Sequence, residues 1–194
     1  PLRIPLFDVE RRRVRLRAIG AGCYHSLAVC AERGALWAWG MGAAVGHGSV
    51  TPAIVEWHPH GERTTRRGAV AAVPLLDVCA VAAGWHHSVV LTKLGHVLTF
   101  GLGTDGQLGH GDFADQRAPK RVAKLGGVAV EVAAGHSHTL VRLEKRLAML
   151  AFGRNSLNQL GTGTPHQTGL ATPTEIRCCT CNEGHGPPQE GATA

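Results

Sequence analysis

The chain is poor in aromatic residues, at 5% of 194, with one Tyr, four Trp and four Phe. It has no apolar run near the roughly 18 residues of a membrane span. The longest apolar stretch, residues 69–83, is interrupted by Pro74 and Asp77. No charged start followed by an apolar block and a cleavage site is present, so no secretory leader is read from it. There is no G-x-S-x-G, and no Ser-His-Asp or Cys-His arrangement stands out, which leaves acyl-transfer chemistry without a nucleophile. Helical spacing of apolar residues is poor throughout. The six Cys (23, 30, 79, 178, 179 and 181) do not have the spacing of a secreted disulfide framework. Cys30 and Cys79 sit in apolar runs and are expected as buried thiols, which suits a reducing compartment, cytosol or nucleus.

What is abundant is glycine, 26 residues, against a background that is 44% hydrophobic. That combination predicts a packed core built from short strands and tight turns. Net charge is +6 and is locally concentrated. Arg11, Arg12, Arg13, Arg15 and Arg17 lie in RRRVRLR, and Arg63, Arg66 and Arg67 form a second group. On a strand, Arg11, Arg13, Arg15 and Arg17 share one side. Such a stripe can meet an acidic partner or nucleic acid, or it can guard an edge strand against pairing.

The stretch GLGTDG (101–106) spells the G-x-G-x-x-G of a dinucleotide loop. A repeat explains it better. GCYHSLAV (22–29), GWHHSVVL (84–91) and GHSHTLVR (135–142) each place His three residues after Gly, then Ser or Thr. The aligned positions are Gly22 and His25, Gly84 and His87, Gly135 and His138. Each is followed by a strand-like run ending in Trp39-Gly40, Phe100-Gly101 or Phe152-Gly153. A Gly-rich loop comes next: GMGAAVGHG (40–48), GLGTDGQLGHG (101–111) and GRNSLNQLGTG (153–163), with Gly109 matching Gly161. Each unit closes on Pro followed by an aliphatic residue: Pro52/Val55, Pro119/Val122 and Pro173/Ile176. In the third loop Asn155 and Asn158 replace Gly103 and Gly106, and Gly and Asn are the residues most tolerant of positive φ. These positions are therefore read as left-handed turn residues. No helical pattern follows the loop, and a dinucleotide fingerprint requires one.

Each unit offers about four β-prone runs. The small-residue runs AIGAG, AVAAG and EVAAG suit strands crowded near an axis, so each unit reads as a propeller blade. VAAGWHHS…FGLGTDGQLGHGD…P and VAAGHSHT…FGRNSLNQLGTGT…P resemble the regulator of chromosome condensation repeat over roughly residues 18–177. The resemblance implies an all-β fold, a partial β-propeller of four-stranded antiparallel blades, about three of an expected seven. Unit one departs from the pattern, its loop two residues shorter and lacking Gln-Leu-Gly, and units two and three carry Phe where Trp is usual. The organisation read from the sequence is the end of a preceding repeat (1–17), unit one (18–55), an insertion and linker (56–77), unit two (78–122), unit three (128–177) and a Cys/Gly/Pro tail (178–194). The start at Pro1 falls in mid-unit, so the remaining blades are expected in a longer chain.

His25, His87 and His138, at one repeat position, are expected to be structural, each with a buried hydrogen bond at its turn. Cys178, Cys179, Cys181 and His185 form half of a zinc pattern, read here as a solvated tail rather than a metal site. No cofactor is expected. The G-W-x-H-S/T motif around Trp85 resembles that of the family's plant ultraviolet-B photoreceptor. That protein needs Trp in successive blades, and Cys23 and His136 stand at those positions here. Trp85 is therefore read as a packing or rim residue. The resemblance points to a non-catalytic protein-interaction scaffold. Guanine-nucleotide exchange on a Ran-like small GTPase, and chromatin or nucleic-acid contact through the Arg-rich stretches, are the alternatives.

Overall fold

The computed structural model describes residues 15–40, 43–46, 77–145, 149–163 and 169–176. These form three antiparallel sheets in chain order. Blade 1 is β1 (Leu16–Ala21), β2 (His25–Cys30) and β3 (Leu36–Gly40). Blade 2 is β4 (Val78–Ala83), β5 (His87–Thr92), β6 (Val97–Gly101) and β7 (Gln116–Arg121). Blade 3 is β8 (Ala129–Ala134), β9 (His138–Leu143), β10 (Met149–Gly153) and β11 (Leu170–Ile176). Every sheet is a simple meander, so the expected blade architecture is present. Blade 1 has three strands among the described residues rather than four. Among those residues no helix is long and apolar enough to cross a membrane.

β1, β4 and β8 are the inner strands, and they pack against one another in sequence. Their small residues permit this: even a Cβ added at Gly20 would only come into ordinary contact with the Ala83 side chain, at 3.6 Å. Each inner strand carries a bulge at its second residue, Arg17, Cys79 or Val130, where the register to the next strand slips by one. The bulge breaks the expected alternation of the Arg stripe. Arg15 and Arg17 are exposed, but Arg17 is the extra residue of a bulge rather than one step of a regular strand.

Blades bury apolar faces against each other. Leu27, Val29, Leu36 and Ala38 of blade 1 meet Val78, Val90, Leu98 and Phe100 of blade 2. Val89, Leu91 and Val97 of blade 2 meet Val141, Leu143, Leu150 and Phe152 of blade 3. β5 and β6 are therefore covered on both faces, and every one of their residues is buried. This is why the sequence there is a near-continuous apolar run without alternation. Cys30 is buried as expected, whereas Cys79, on the bulge, is half-buried with its Sγ donating to the Leu91 carbonyl at 3.4 Å.

Candidate interaction surface

The meander places the G-x-x-H turns and the Gly-rich loops at one end of the blades and the β2–β3, β5–β6 and β9–β10 turns at the other. At the first end, Gly and His act as a unit. A Cβ added at Gly22, Gly84 or Gly135 would fall on the imidazole of His25, His87 or His138 respectively. The glycine N–H donates to the carbonyl of the same histidine at 2.9 Å in all three turns. The three-residue spacing thus seats an imidazole flat against a bare backbone.

Two of the three repeat histidines make a buried hydrogen bond, and both bonds cross between blades. His25 Nε2 lies 2.9 Å from Ser88 Oγ, and His87 Nε2 lies 3.0 Å from Thr139 Oγ1. Ser88 Oγ donates to the Ala44 carbonyl at 2.7 Å, and Thr139 Oγ1 donates to the Gln107 carbonyl at 2.8 Å. A hydroxyl has one proton, and here the carbonyl takes it, so the imidazole must supply the proton to the hydroxyl oxygen. This fixes the Nε2–H tautomer at His25 and His87. Both Nδ1 atoms are buried, with no hydrogen-bond partner among the described residues. Burial pushes His25 down to about 4, helped by the neighbouring His86, and pushes His87 down to about 3, helped by His25 and His138.

The Gly-rich loops supply the acceptor carbonyls. In loop 2, Gly106 donates to Gly103 and Gly109 to Gly106; in loop 3, Asn158 donates to Asn155 and Gly161 to Asn158. The Gln of Gln-Leu-Gly shapes each loop: Gln107 Oε1 accepts from the Asp105 N–H and Gln159 Oε1 from the Leu157 N–H, both at 2.8 Å. Gly106 (φ 79°) and Asn158 (φ 56°) are left-handed, as expected. Gly103 and Asn155 are not, which corrects the left-handed reading of that pair. Gly103 is glycine because a Cβ would strike the Ala114 carbonyl. Asn155 is fully buried, accepting from the Leu160 N–H at 3.0 Å and donating to Thr162 Oγ1 at 2.9 Å. Loop 1, two residues shorter, folds instead as a 3-10 turn over Ala43–Val45 and still delivers the Ala44 carbonyl to Ser88.

The aromatic-Gly pair completes the junction. Gly40, Gly101 and Gly153 have φ of 121°, 112° and 109°, and a Cβ at each would strike the carbonyl preceding the repeat histidine. Leu102 and Arg154, the next residues, donate to the carbonyls of His86 and Ser137. The preceding blade's loop rests on this element: Gly46 faces the Phe100 ring and Gly109 faces the Phe152 ring, where a Cβ would crowd the aromatic carbons.

Outside this buried lock, the same end exposes aromatic side chains in contact. Tyr24 (50% exposed) stacks on His86 at 5.5 Å, and Trp85 (38% exposed) meets His136 edge-on at 3.8 Å and His86 at 5.9 Å. Trp85 and His136 border a shallow cleft of about 330 Å³ at the ends of the inner strands, lined also by Cys23, Ala83 and Ala134. Trp85 is both a packing and a rim residue. The Gly-rich loops expose Phe113 (53%) and Leu157 (86%). Tyr24, Phe113 and Leu157 carry no periodic signal; each is a single apolar residue in a turn. Of the basic candidates, Arg15 and Arg17 are exposed, while Arg13, Arg63, Arg66 and Arg67 lie outside the described residues, as do Cys178, Cys179, Cys181 and His185. Arg117, Lys120, Arg121 and Lys124, which form no run in the sequence, are also exposed, on and just after the outer strand β7.

Two models of the regulator of chromosome condensation (RCC1) repeat match the chain, one over residues 78–107 and one over 95–142. Residues 78–142 carry repeats of the RCC1 family. Among curated proteins it is 34% identical over 165 residues to the human probable E3 ubiquitin-protein ligase HERC3, covering 84% of this chain and 15% of that protein. It is 29% identical over 167 residues to the Arabidopsis thaliana ultraviolet-B receptor UVR8, covering 84% of this chain and 34% of that one. Among solved structures, human WBSCR16 aligns with a TM-score of 0.69 at 23% identity, covering 91% of this chain and 42% of that one. Saccharomyces cerevisiae Prp20p aligns at 0.64 and 18%, covering 82% and 38%. These structural likenesses establish the propeller fold. The chain spans well under half the length of each of these relatives.

Proposed function

We propose that this part of the molecule is a non-catalytic protein-interaction scaffold. The observation that carries the reading is the contrast at the loop end of the blades. The buried hydroxyls, imidazole Nε2 atoms and loop carbonyls are consumed by the inter-blade lock, while Tyr24, Trp85, His86 and His136 form an exposed aromatic ladder above it. Rigid, half-exposed Trp and Tyr are the side chains that contribute most to protein interfaces. The support from the family is the fold: a propeller holds variable loops on an invariant frame.

The test is site-specific photocrosslinking from position 24 at the loop end and from Leu94 at the other. A partner captured from position 24 and not from position 94, whose affinity in purified form falls roughly thirtyfold in a Tyr24→Ser/Trp85→Ser variant of unchanged thermal midpoint, supports the reading. Capture at position 94 alone would overturn it. Two other readings are settled in parallel. The description of Prp20p concerns binding to Gsp1p and histones, so nucleotide release from a Ran-like GTPase is measured with the same protein. Duplex DNA and histone binding is measured against salt with Arg15 and Arg17 replaced. Localisation to cytoplasm or nucleus is part of the same proposal.

A further inference from the structure

At the foot of blade 2, the end opposite the aromatic ladder, a pocket of about 280 Å³ opens between the β5–β6 turn and the segment joining β7 to β8. Its lining includes Leu94, His96, Arg121, Gly126, Gly127 and Val128, and no carboxylate residue among the described ones lines it. The walls are held in place. The Ala129 N–H donates to the Gly95 carbonyl at 3.1 Å, the Val122 N–H donates to the Val97 carbonyl at 2.9 Å, and Leu125 is buried in the core between blades 2 and 3. Arg121 is exposed and has no ion-pair partner among the described residues. The backbone N–H groups of Leu125, Gly126, Gly127 and Val128 likewise donate to no group among those residues. Water or a ligand must satisfy them. Gly126 is left-handed, with φ of 69°, and successive N–H groups around such a turn residue form concavities that hold anions. Gly127 is not left-handed, and a Cβ there would make only ordinary contact with Leu143, at 3.4 Å. The fold therefore does not ask for glycine at 127. A bare backbone at that place does let a ligand atom come close to the N–H groups.

We propose that this pocket binds a phosphoryl group, as inorganic phosphate or as a small phosphomonoester. The Arg121 guanidinium supplies the charge and a planar fork of donors that matches phosphate oxygens. The Gly126 and Gly127 N–H groups donate to the remaining oxygens, and His96 offers one further polar contact. Leu94 and Val128, both exposed at the rim, carry the body of an ester. The volume is at the small end for ligand sites, which limits that body to a few carbon atoms. The acidic side chains near this end are Asp77, held by Lys93 at 3.3 Å, and Glu144, whose N–H donates to the Val128 carbonyl; neither lines the pocket. The ligand is a small molecule at the end away from the ladder, so this inference can fail without affecting the scaffold reading.

Nitrogen–proton spectra of the 194-residue chain read the Gly126 and Gly127 amides directly. The probes are inorganic phosphate and glycerol phosphate, each titrated at fixed pH and at ionic strength held with sodium chloride. Both amides should shift and saturate with at least one probe. Arg121→Gln and Gly127→Ala should each weaken that binding about tenfold or more at unchanged thermal midpoint. Lys124→Gln removes a neighbouring cation outside the lining and should leave the affinity nearly unchanged. Saturation by either probe supports the site, and the tighter of the two names its source, free phosphate or an ester seated on Leu94 and Val128. Shifts that never saturate, that survive Arg121→Gln, or that Lys124→Gln reduces as much as Arg121→Gln does would overturn the proposal, by showing only diffuse attraction to a basic strand.

Discussion

Replacing Thr139 by Val removes one oxygen and leaves the shape of the side chain. That oxygen is fully buried between blades 2 and 3, accepting from His87 and donating to the Gln107 carbonyl. Valine therefore orphans two buried groups at once, the His87 Nε2–H and the Gln107 C=O. At about 1–3 kcal/mol for each unsatisfied group, the change costs about 2–6 kcal/mol. Thr139→Ser keeps both bonds and loses a methyl group, at about 1 kcal/mol. In urea, with a slope of about 2 kcal/mol per M, Thr139→Val lowers the unfolding midpoint by about 1–3 M at unchanged slope. The lock also predicts coupling: His87→Phe and Thr139→Val together cost less than their sum by about 0.5–3 kcal/mol. A Thr139→Val loss below about 1 kcal/mol, or strict additivity with His87→Phe, would refute the relay as a structural element.

Acid should weaken the junctions. Unfolded imidazoles protonate near 6.5, whereas the folded chain holds His25 neutral to about 4 and His87 to about 3. Between these values the unfolded state binds more protons, so stability falls as pH drops from 6.5 toward 4. Lowering His25 from 6.5 to about 4, at about 1.4 kcal/mol per pH unit, is worth about 3 kcal/mol. Denaturation midpoints measured from pH 7.5 to 4 should decline accordingly and flatten in a His25→Gln/His87→Gln background. Gly84→Ala drives a methyl group into the His87 ring and should cost about 2 kcal/mol, about 4–8 °C in thermal midpoint. At Asn158, with φ of 56°, glycine should be tolerated and valine should cost about 1–3 kcal/mol by chemical denaturation.

The fold was legible because each blade repeats constraints that leave a mark on residue type. Gly84 records the ring above it, Gly101 the carbonyl behind it, and Asn158 a left-handed turn. The partner of His87 was not legible, since Thr139 lies 52 residues away and the repeat aligns it with Ser88 and not with His87. Only the offset between blades, a property of three dimensions, shows that the Ser/Thr of one unit serves the His of the unit before. Loop 1 looked degenerate because Gln-Leu-Gly is missing, but what the neighbour needs from it is a backbone carbonyl, and a 3-10 turn provides one without that side chain. The Asn155 error has the same origin: its likeness to Gly103 is positional, while its work is done by a buried amide.

The central claim is the relay from imidazole to hydroxyl to loop carbonyl. Long-range nitrogen–proton spectra of the imidazoles between pH 7 and 4.5 test it directly. The account predicts that His25 and His87 are neutral Nε2–H tautomers that do not titrate across most of that range. Nδ1–H tautomers, or titration of both rings near 6.5, would contradict it.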